Sequence, residues 1–204
     1  MTLLLAAVLA FGPWFVSAQT QTTGCWTGWE ASIQYRPQTG PAPATPPYIW
    51  TGGYLRDGTF LQAGLASGPE QPQGFAWRIQ TGKVDGIAWR PIPTIPGAWH
   101  SFRAVRTAGV WTISMDGRAL ARYTNRNCLG VFQAVIEKWS ETDPGPGTAA
   151  FRNLRVRTQS GAWVAPPGFA FAPPGCGSQA ISRKPGNLVI LPSSDCAHWT
   201  LLWR

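Results

Sequence analysis

Proline and glycine interrupt this chain so often, 19 and 23 times in 204 residues, that no apolar pattern runs far enough to build a helix. Proline removes a backbone N–H and clashes with the turn before it, and glycine loses too much chain entropy to suit an element interior. Alternation with a period of two survives between the breaks, and it is the signature of a half-buried strand. Trp29, Ala31, Ile33 and Tyr35 alternate with Glu30, Ser32, Gln34 and Arg36, and Phe75, Trp77 and Ile79 with Ala76, Arg78 and Gln80. Trp99 to Val105, Val110 to Met115 and Arg118 to Tyr123 are divided by Ala108-Gly109 and Asp116-Gly117, which suit tight hairpin turns. Asp57-Gly58 plays the same part ahead of a strand beginning at Thr59, and Ala150 to Thr158 and Gly161 to Ala165 close the series. Many short antiparallel strands with frequent turns predict an all-β fold, a jelly-roll β-sandwich of two antiparallel sheets.

The sandwich is expected over residues 19–167, with a Pro-rich linker from Pro37 to Pro47 inside it. After Pro166-Pro167, residues 168–204 read as a short C-terminal appendage in which Leu188 to Leu191 and His198 to Trp203 predict a hairpin. Residues 1–18 read as a signal peptide: Leu3 to Val16 is almost wholly apolar, and Val16-Ser17-Ala18 offers a cleavage site after Ala18. No Lys or Arg precedes the apolar run, so an uncleaved membrane anchor or a wrongly chosen start codon is the alternative. Export to the periplasm or the exterior is expected, leaving about 186 residues, enough for one domain with a substantial core.

Export makes the four cysteines readable as two disulfides with three pairings, against four unpaired buried thiols. Cys176 and Cys196 share the C-terminal segment, which favours Cys25–Cys128 with Cys176–Cys196. The net charge of +8 comes mostly from arginine scattered along polar strand faces (Arg103 and Arg106; Arg152, Arg155 and Arg157). Without a Lys/Arg cluster or a nucleic-acid motif, this indicates a solvated basic surface or affinity for acidic polysaccharide or cell envelope, and no nucleic-acid partner.

Several chemistries lack residues. His100 and His198 are the only histidines, neither stands at metal-ligand spacing from a Cys or carboxylate, and no metal or cofactor is expected. His100 reads as structural. No Gly-x-Ser-x-Gly elbow or phosphate-binding glycine loop occurs. A glycosidase needs two carboxyl groups about 5–9.5 Å apart. Only nine acids exist, with Asp57, Asp116 and Asp143 in turns, which leaves Glu137 with Glu30 or Glu141 as the available pairs. Of the twelve tryptophans, Trp29, Trp77 and Trp111 fall in phase with apolar neighbours and read as core, and Trp99 and Trp163 fit either role. Trp26, Trp50, Trp89 and Trp139 are candidates for an exposed sugar-stacking groove.

Two apolar runs carry the sharper signal. In Thr59-Phe60-Leu61-Gln62-Ala63-Gly64-Leu65, Leu61, Ala63 and Leu65 share a face and Gln62 takes the other. In Val131-Phe132-Gln133-Ala134-Val135-Ile136-Glu137, Phe132, Ala134 and Ile136 share a face and Gln133 and Glu137 project oppositely. An amide and a carboxylate converging on one sheet face can polarise a carbonyl and activate a water.

These runs resemble a known family. Trp50-Thr51-Gly52-Gly53 followed by Phe60-Leu61-Gln62-Ala63-Gly64-Leu65 is similar to the Trp-Val-Gly … Ile-Leu-Gln-Thr-Gly block of the glutamic peptidases called eqolisins, and Ala134-Val135-Ile136-Glu137 to the apolar triplet and catalytic glutamate of the second block. Phe75-Ala76-Trp77 falls where that family has Tyr-Glu-Trp, and Phe151-Arg152-Asn153 resembles a late strand. The resemblance spans roughly residues 26–165 and implies a concanavalin-like jelly roll. It implies that Glu137 is the general base and Gln62 the oxyanion donor of an acid-acting endopeptidase, with Trp50, Tyr54, Arg78, Gln133 and Trp139 lining a substrate groove. Two departures stand out: Ala76 replaces the family's glutamate, and Lys138 follows Glu137 where the family carries an acid. The alternative is a non-catalytic concanavalin-like module that binds carbohydrate or cell envelope, or a structural surface protein without a small ligand. The expected partner is a polypeptide or polysaccharide in the groove of a monomer, with membrane contact only through an uncleaved signal.

Overall fold

The computed structural model describes residues 14–20, 22–34, 48–67, 72–80, 83–93, 95, 97–138, 149–172, 178–181, 188–191 and 199–202. All its regular structure is β. One sheet holds β1 (Trp14–Thr20), β3 (Tyr48–Leu55), β4 (Phe60–Ser67), β5 (Pro72–Gln80), β6 (Lys83–Pro91), β10 (Leu129–Lys138) and β13 (Phe169–Ala172). Its seven strands run in the order β13-β1-β10-β3-β4-β5-β6. The other holds β2 (Gly28–Gln34), β7 (Trp99–Thr107), β8 (Val110–Met115), β9 (Arg118–Thr124), β11 (Ala149–Arg157), β12 (Trp163–Val164), β14 (Ser178–Ile181), β15 (Leu188–Leu191) and β16 (Trp199–Leu202). Its order is β14-β16-β15-β11-β2-β7-β8-β9, with β12 beside β11. Pairing is antiparallel in both sheets except between β14 and β16, which are parallel. The fold is a concanavalin-like jelly-roll β-sandwich.

Alternation decides the core. From the nine-stranded sheet come Trp29, Ala31, Ile33, Phe102, Ala104, Trp111, Ile113, Phe151 and Val156; from the seven-stranded sheet come Ile49, Leu61, Ala63, Leu65, Ala76, Phe132 and Ala134. Each large side chain buried this fully contributes about 1.5–3 kcal/mol relative to exposure. Trp26, expected at an exposed groove, is buried in this core instead: it pairs as an isolated bridge with Leu129, outside the regular alternation that phase reasoning uses. His100 is also buried, its Nδ1 2.8 Å from Asp116 Oδ2 in the β8–β9 turn.

The turns explain the hairpins. Ala108 and Gly109 have φ of 50° and 77°, and Asp116 and Gly117 have 49° and 76°, so both two-residue loops bend with the hand that matches strand twist. Gly58, with φ of 83°, closes the β3–β4 turn, where the Asp57 carboxylate accepts from the Thr59 N–H at 3.0 Å. Asn125 donates its amide to Asp57 at 2.8 Å and to the Thr59 hydroxyl at 3.2 Å, joining this turn to the segment before β10. The sheets are also tied at one end. The Tyr123 hydroxyl donates to the Gly86 carbonyl at 2.5 Å, and Arg90 on β6 donates to the carbonyls of Met115, Arg118 and Ala119.

The chain termini enter both sheets. Trp14–Thr20 pairs with β10 on one side and β13 on the other, and Ala18 lies in the core, so the expected cleavage point after Ala18 falls inside β1. From residues 168–204, β13 extends the seven-stranded sheet, and β15 pairs antiparallel with β16 in the other, whose edge strand beyond them is β14. Among the described residues no helix is long and apolar enough to cross a membrane. The expected Cys25–Cys128 disulfide is present, with Cα atoms 5.1 Å apart across 103 residues of sequence. Cys176, Cys196 and the Pro37–Pro47 linker lie outside the described residues.

Two outcomes follow from these ties. Replacing Cys25 and Cys128 by serine releases a long loop in the unfolded chain, and denaturant unfolding should show a loss of about 2–5 kcal/mol. Asp57 titrates below its usual 3.8: partial burial would raise it, but hydrogen bonds from Asn125 and Thr59 outweigh that and hold the charged form. A depressed folded-state pKa gives stability that is complete above the unfolded value and lost as pH falls through the folded one. Unfolding midpoints measured below about pH 4 should therefore drop less with pH in Asp57→Asn than in the parent.

Candidate active site

The face of the seven-stranded sheet turned away from the core is itself apolar. Trp50, Phe60, Ala66, Phe75, Trp77 and Val135 form a second buried cluster there, with Tyr48, Tyr54, Ile79 and Val84 packed against it. Edge-to-face and tilted contacts link the rings: Trp50 to Phe60 at 5.3 Å, Tyr54 to Phe60 at 4.7 Å, Tyr48 to Phe75 at 5.4 Å and Phe75 to Trp77 at 5.3 Å. Such pairs add about 0.5–1.5 kcal/mol each beyond the area they bury.

Three amides stand in one row of this layer. Cross-strand register aligns Gln19, Gln133, Gly52, Gln62 and Trp77 across β1, β10, β3, β4 and β5. The Gln133 amide donates to Gln19 Oε1 at 2.8 Å. Gln62 is only 4% exposed, and Gly52 leaves no side chain between it and Gln133, two strands or about 10 Å away. Trp77, directly opposite Gln62, is buried too, and among the described residues its indole Nε1 has no hydrogen-bond partner. A buried donor without an acceptor costs about 1–3 kcal/mol and is available to a ligand carbonyl.

Glu137 occupies a position on β10 of the same parity as Gln133 and Val135. It pairs in register with Tyr48, four residues along the sheet from the row of Gln62 and two strands across. Ideal sheet spacings put the two Cα atoms about 16 Å apart. The midpoint of that diagonal is the position of Trp50, which pairs with Val135 on one side and Gly64 on the other and is 4% exposed. Gln62, Trp50 and Glu137 thus mark one diagonal of a single face, with the glycines at 52 and 64 flanking its centre.

The other expected groove residues divide. Tyr54 lies on this face, and burial raises its phenol to about 12, leaving it a neutral donor. Arg78 does not lie here: it follows Trp77 by one residue, so alternation turns it inward, where its guanidinium sits 5.4 Å over the Tyr123 ring of the other sheet. Trp139 lies outside the described residues. Ala76, where the resemblance led one to look for a carboxylate, faces the core, so its methyl group takes nothing from the outer face. Sequence phase did not single out Gln19, because the residues of β1 that precede it read as a signal and left no alternation to follow. The unpartnered Trp77 indole was also missed, since an indole in phase with apolar neighbours reads as packing.

No protein-family profile and no curated protein sequence matches the chain. Solved structures do. The fold is similar to scytalido-glutamic peptidase in complex with a transition state analog inhibitor, at 13% identity over 88% of this chain and 93% of that one, with a TM-score of 0.54. It is also similar to a tetrameric galectin from the ball sponge Cinachyrella sp., at 15% identity over 70% and 98% with a TM-score of 0.48. A carbohydrate-binding module from Bacillus subtilis matches at 10% identity over 61% and 80% with a TM-score of 0.40. The likeness to the peptidase structure is one of fold, the β-sandwich.

Trp77→Phe separates packing from hydrogen bonding at this site. The substitution keeps an aromatic ring and deletes the unpartnered N–H, so thermal unfolding should shift by no more than about 1 kcal/mol in either direction.

Proposed function

We propose that this protein is an exported glutamic-type endopeptidase that takes an extended polypeptide across the outer face of the seven-stranded sheet. The observation that carries the reading is the shared face: Gln62 and Glu137 belong to one sheet, at positions of one parity, on either side of Trp50. In this reading Glu137 removes a proton from water and later passes it to the leaving amine. The Gln62 amide donates to the carbonyl oxygen as it becomes an oxyanion, and the Trp77 N–H opposite supplies a second donor. For both groups to act on one carbonyl, the scissile bond lies over the midpoint of the diagonal, Trp50 swings aside to admit it, and the Gln62 and Glu137 side chains reach toward each other from its two ends. A transition-state donor of this kind is worth about 3 kcal/mol, and a general base about 100- to 10,000-fold in rate.

Ring geometry favours polypeptide over polysaccharide. A sugar-stacking platform presents exposed rings in a common plane, whereas the ring pairs described on this face are tilted by 44° to 87°. Among the described rings of the face only Trp89, 45% exposed at the β6 edge, is open to solvent.

Digestion of a denatured protein substrate between about pH 2 and 7 tests the reading. The parent should cleave, Glu137→Gln should lose at least about a hundredfold, and Gln62→Ala should lose a comparable factor with an unchanged unfolding midpoint. Equal cleavage by parent and Glu137→Gln, or none by either, removes the mechanism. A glycan array on the same preparations decides for carbohydrate binding if it retains the parent and not Trp89→Ala.

A further inference from the structure

The outer face of the nine-stranded sheet is a different surface. Alternation on β11, β7 and β9 places Arg152, Arg155, Arg157, Arg103 and Arg122 there, while Phe151, Val156, Phe102, Ala104 and Tyr123 face the core. Glu30 is the one acid on this face within β2, β7, β8, β9 and β11, and it sits in the register row between Arg155 and Arg103. Arginines that looked scattered in the chain are gathered by strand pairing onto one side of the molecule.

Their guanidinium groups are held in place. Glu30 forms ion pairs with both neighbours: Arg103 Nε lies 3.7 Å from Oε2, and Arg155 Nη2 is in ionic contact with Oε1 without hydrogen-bond alignment. Arg103 also stacks over the Trp163 ring at 4.7 Å, and Arg152 stacks over Trp99 at 4.2 Å. Arg157 donates to the Thr27 hydroxyl at 3.2 Å. The side chains of Arg103 and Arg155 nevertheless keep 51% and 50% of their surface in solvent. Stacking and ion pairing reduce the rotamer entropy that a flexible arginine loses on binding, and they leave outward N–H groups for an acceptor. A planar guanidinium presented in this way matches a carboxylate or sulfate in bidentate geometry.

From this arrangement we infer that the outer face of the nine-stranded sheet docks an acidic polysaccharide, a carboxylate- or sulfate-bearing glycan chain, on the side of the sandwich opposite the Gln62 face. Five arginines against one glutamate provide the charge complementarity. Single-stranded nucleic acid would use free aromatic faces for base stacking, and here the Trp99 and Trp163 rings are capped by Arg152 and Arg103. The disulfide belongs to an oxidising compartment, where the abundant anionic polymers are glycans. The docking surface holds whether or not the opposite face is a peptidase: it brings the protein to an anionic matrix and leaves the other sheet open.

Calorimetric titration with polygalacturonate tests this. At low ionic strength the parent should bind polygalacturonate and not neutral dextran, and raising salt to about 0.5 M should weaken binding at least tenfold. Arg152→Gln with Arg155→Gln should weaken it about tenfold or more, whereas Lys83→Gln with Arg126→Gln, which removes the same charge away from this face, should leave it nearly unchanged. Circular dichroism should show both double variants folded. Equal weakening by the two double variants would mean that net charge alone attracts the polymer and would overturn the proposal. Tighter binding of single-stranded DNA or of anionic phospholipid vesicles than of polygalacturonate at the same salt would overturn it too, as would no binding by the parent. Peptide hydrolysis, where measured, should not change with Arg152→Gln and Arg155→Gln, so the two faces fail or succeed independently.

Discussion

The register of β3 against β4 and β10 underlies the arrangement of the seven-stranded sheet, and glycine makes it possible. A Cβ at Gly52 would come within 3.0 Å of the Leu61 backbone, one at Gly53 would strike the Val131 backbone, and one at Gly64 would strike the backbone of Ile49 and Trp50. No other residue fits these approaches without moving a main chain. A slip of one residue would bring neighbouring side chains into those gaps and would also turn every core residue outward. Two of the three glycines, Gly52 and Gly64, leave the outer face without side chains at points where a ligand backbone can come close.

That register gives one sheet two apolar faces of different character. Inward, small and branched side chains such as Ala63, Ala76, Ala134, Leu61 and Leu65 let the sheets close on the large rings of Trp29, Trp111, Phe102 and Phe151. Outward, aromatic rings pack edge to face or tilted, on the same face as a register row of amides. Gln62 is buried in this layer, and the Trp77 indole beside it has no hydrogen-bond partner among the described residues. The opposite sheet follows the more common plan of an apolar inner face and a polar outer one, and arginine supplies most of that polarity. Two unlike surfaces, one dry and aromatic and one wet and cationic, lie back to back across a single core.

Much of this was legible in local pattern. Two-residue alternation located β2, β5, β7, β8, β9 and β10, and the Ala-Gly and Asp-Gly dipeptides located their turns, because both signals arise within a few residues of backbone. The Cys25–Cys128 pairing followed from the other two cysteines sharing one segment. The failures have equally definite causes. Trp26 lies in an isolated bridge, so no alternation announces its burial. Trp77 read as core, which put Arg78 on the groove face, whereas the strand is turned the other way, with Trp77 in the outer cluster and Arg78 over Tyr123.

Chain pattern alone showed that this protein is all-β, that each strand has two alternating sets of residues, and that Gln62 and Glu137 each hold positions opposite in parity to their apolar neighbours. These are consequences of backbone geometry within one strand. Strand order and register lie beyond it, since they join residues tens of positions apart through packing that no local pattern encodes. They place Trp50 midway between Gln62 and Glu137, set the Trp77 indole against the Gln62 amide, and gather arginines from β7, β9 and β11 onto one face. A strand can specify which side chains point together, but only its neighbours determine what those side chains meet.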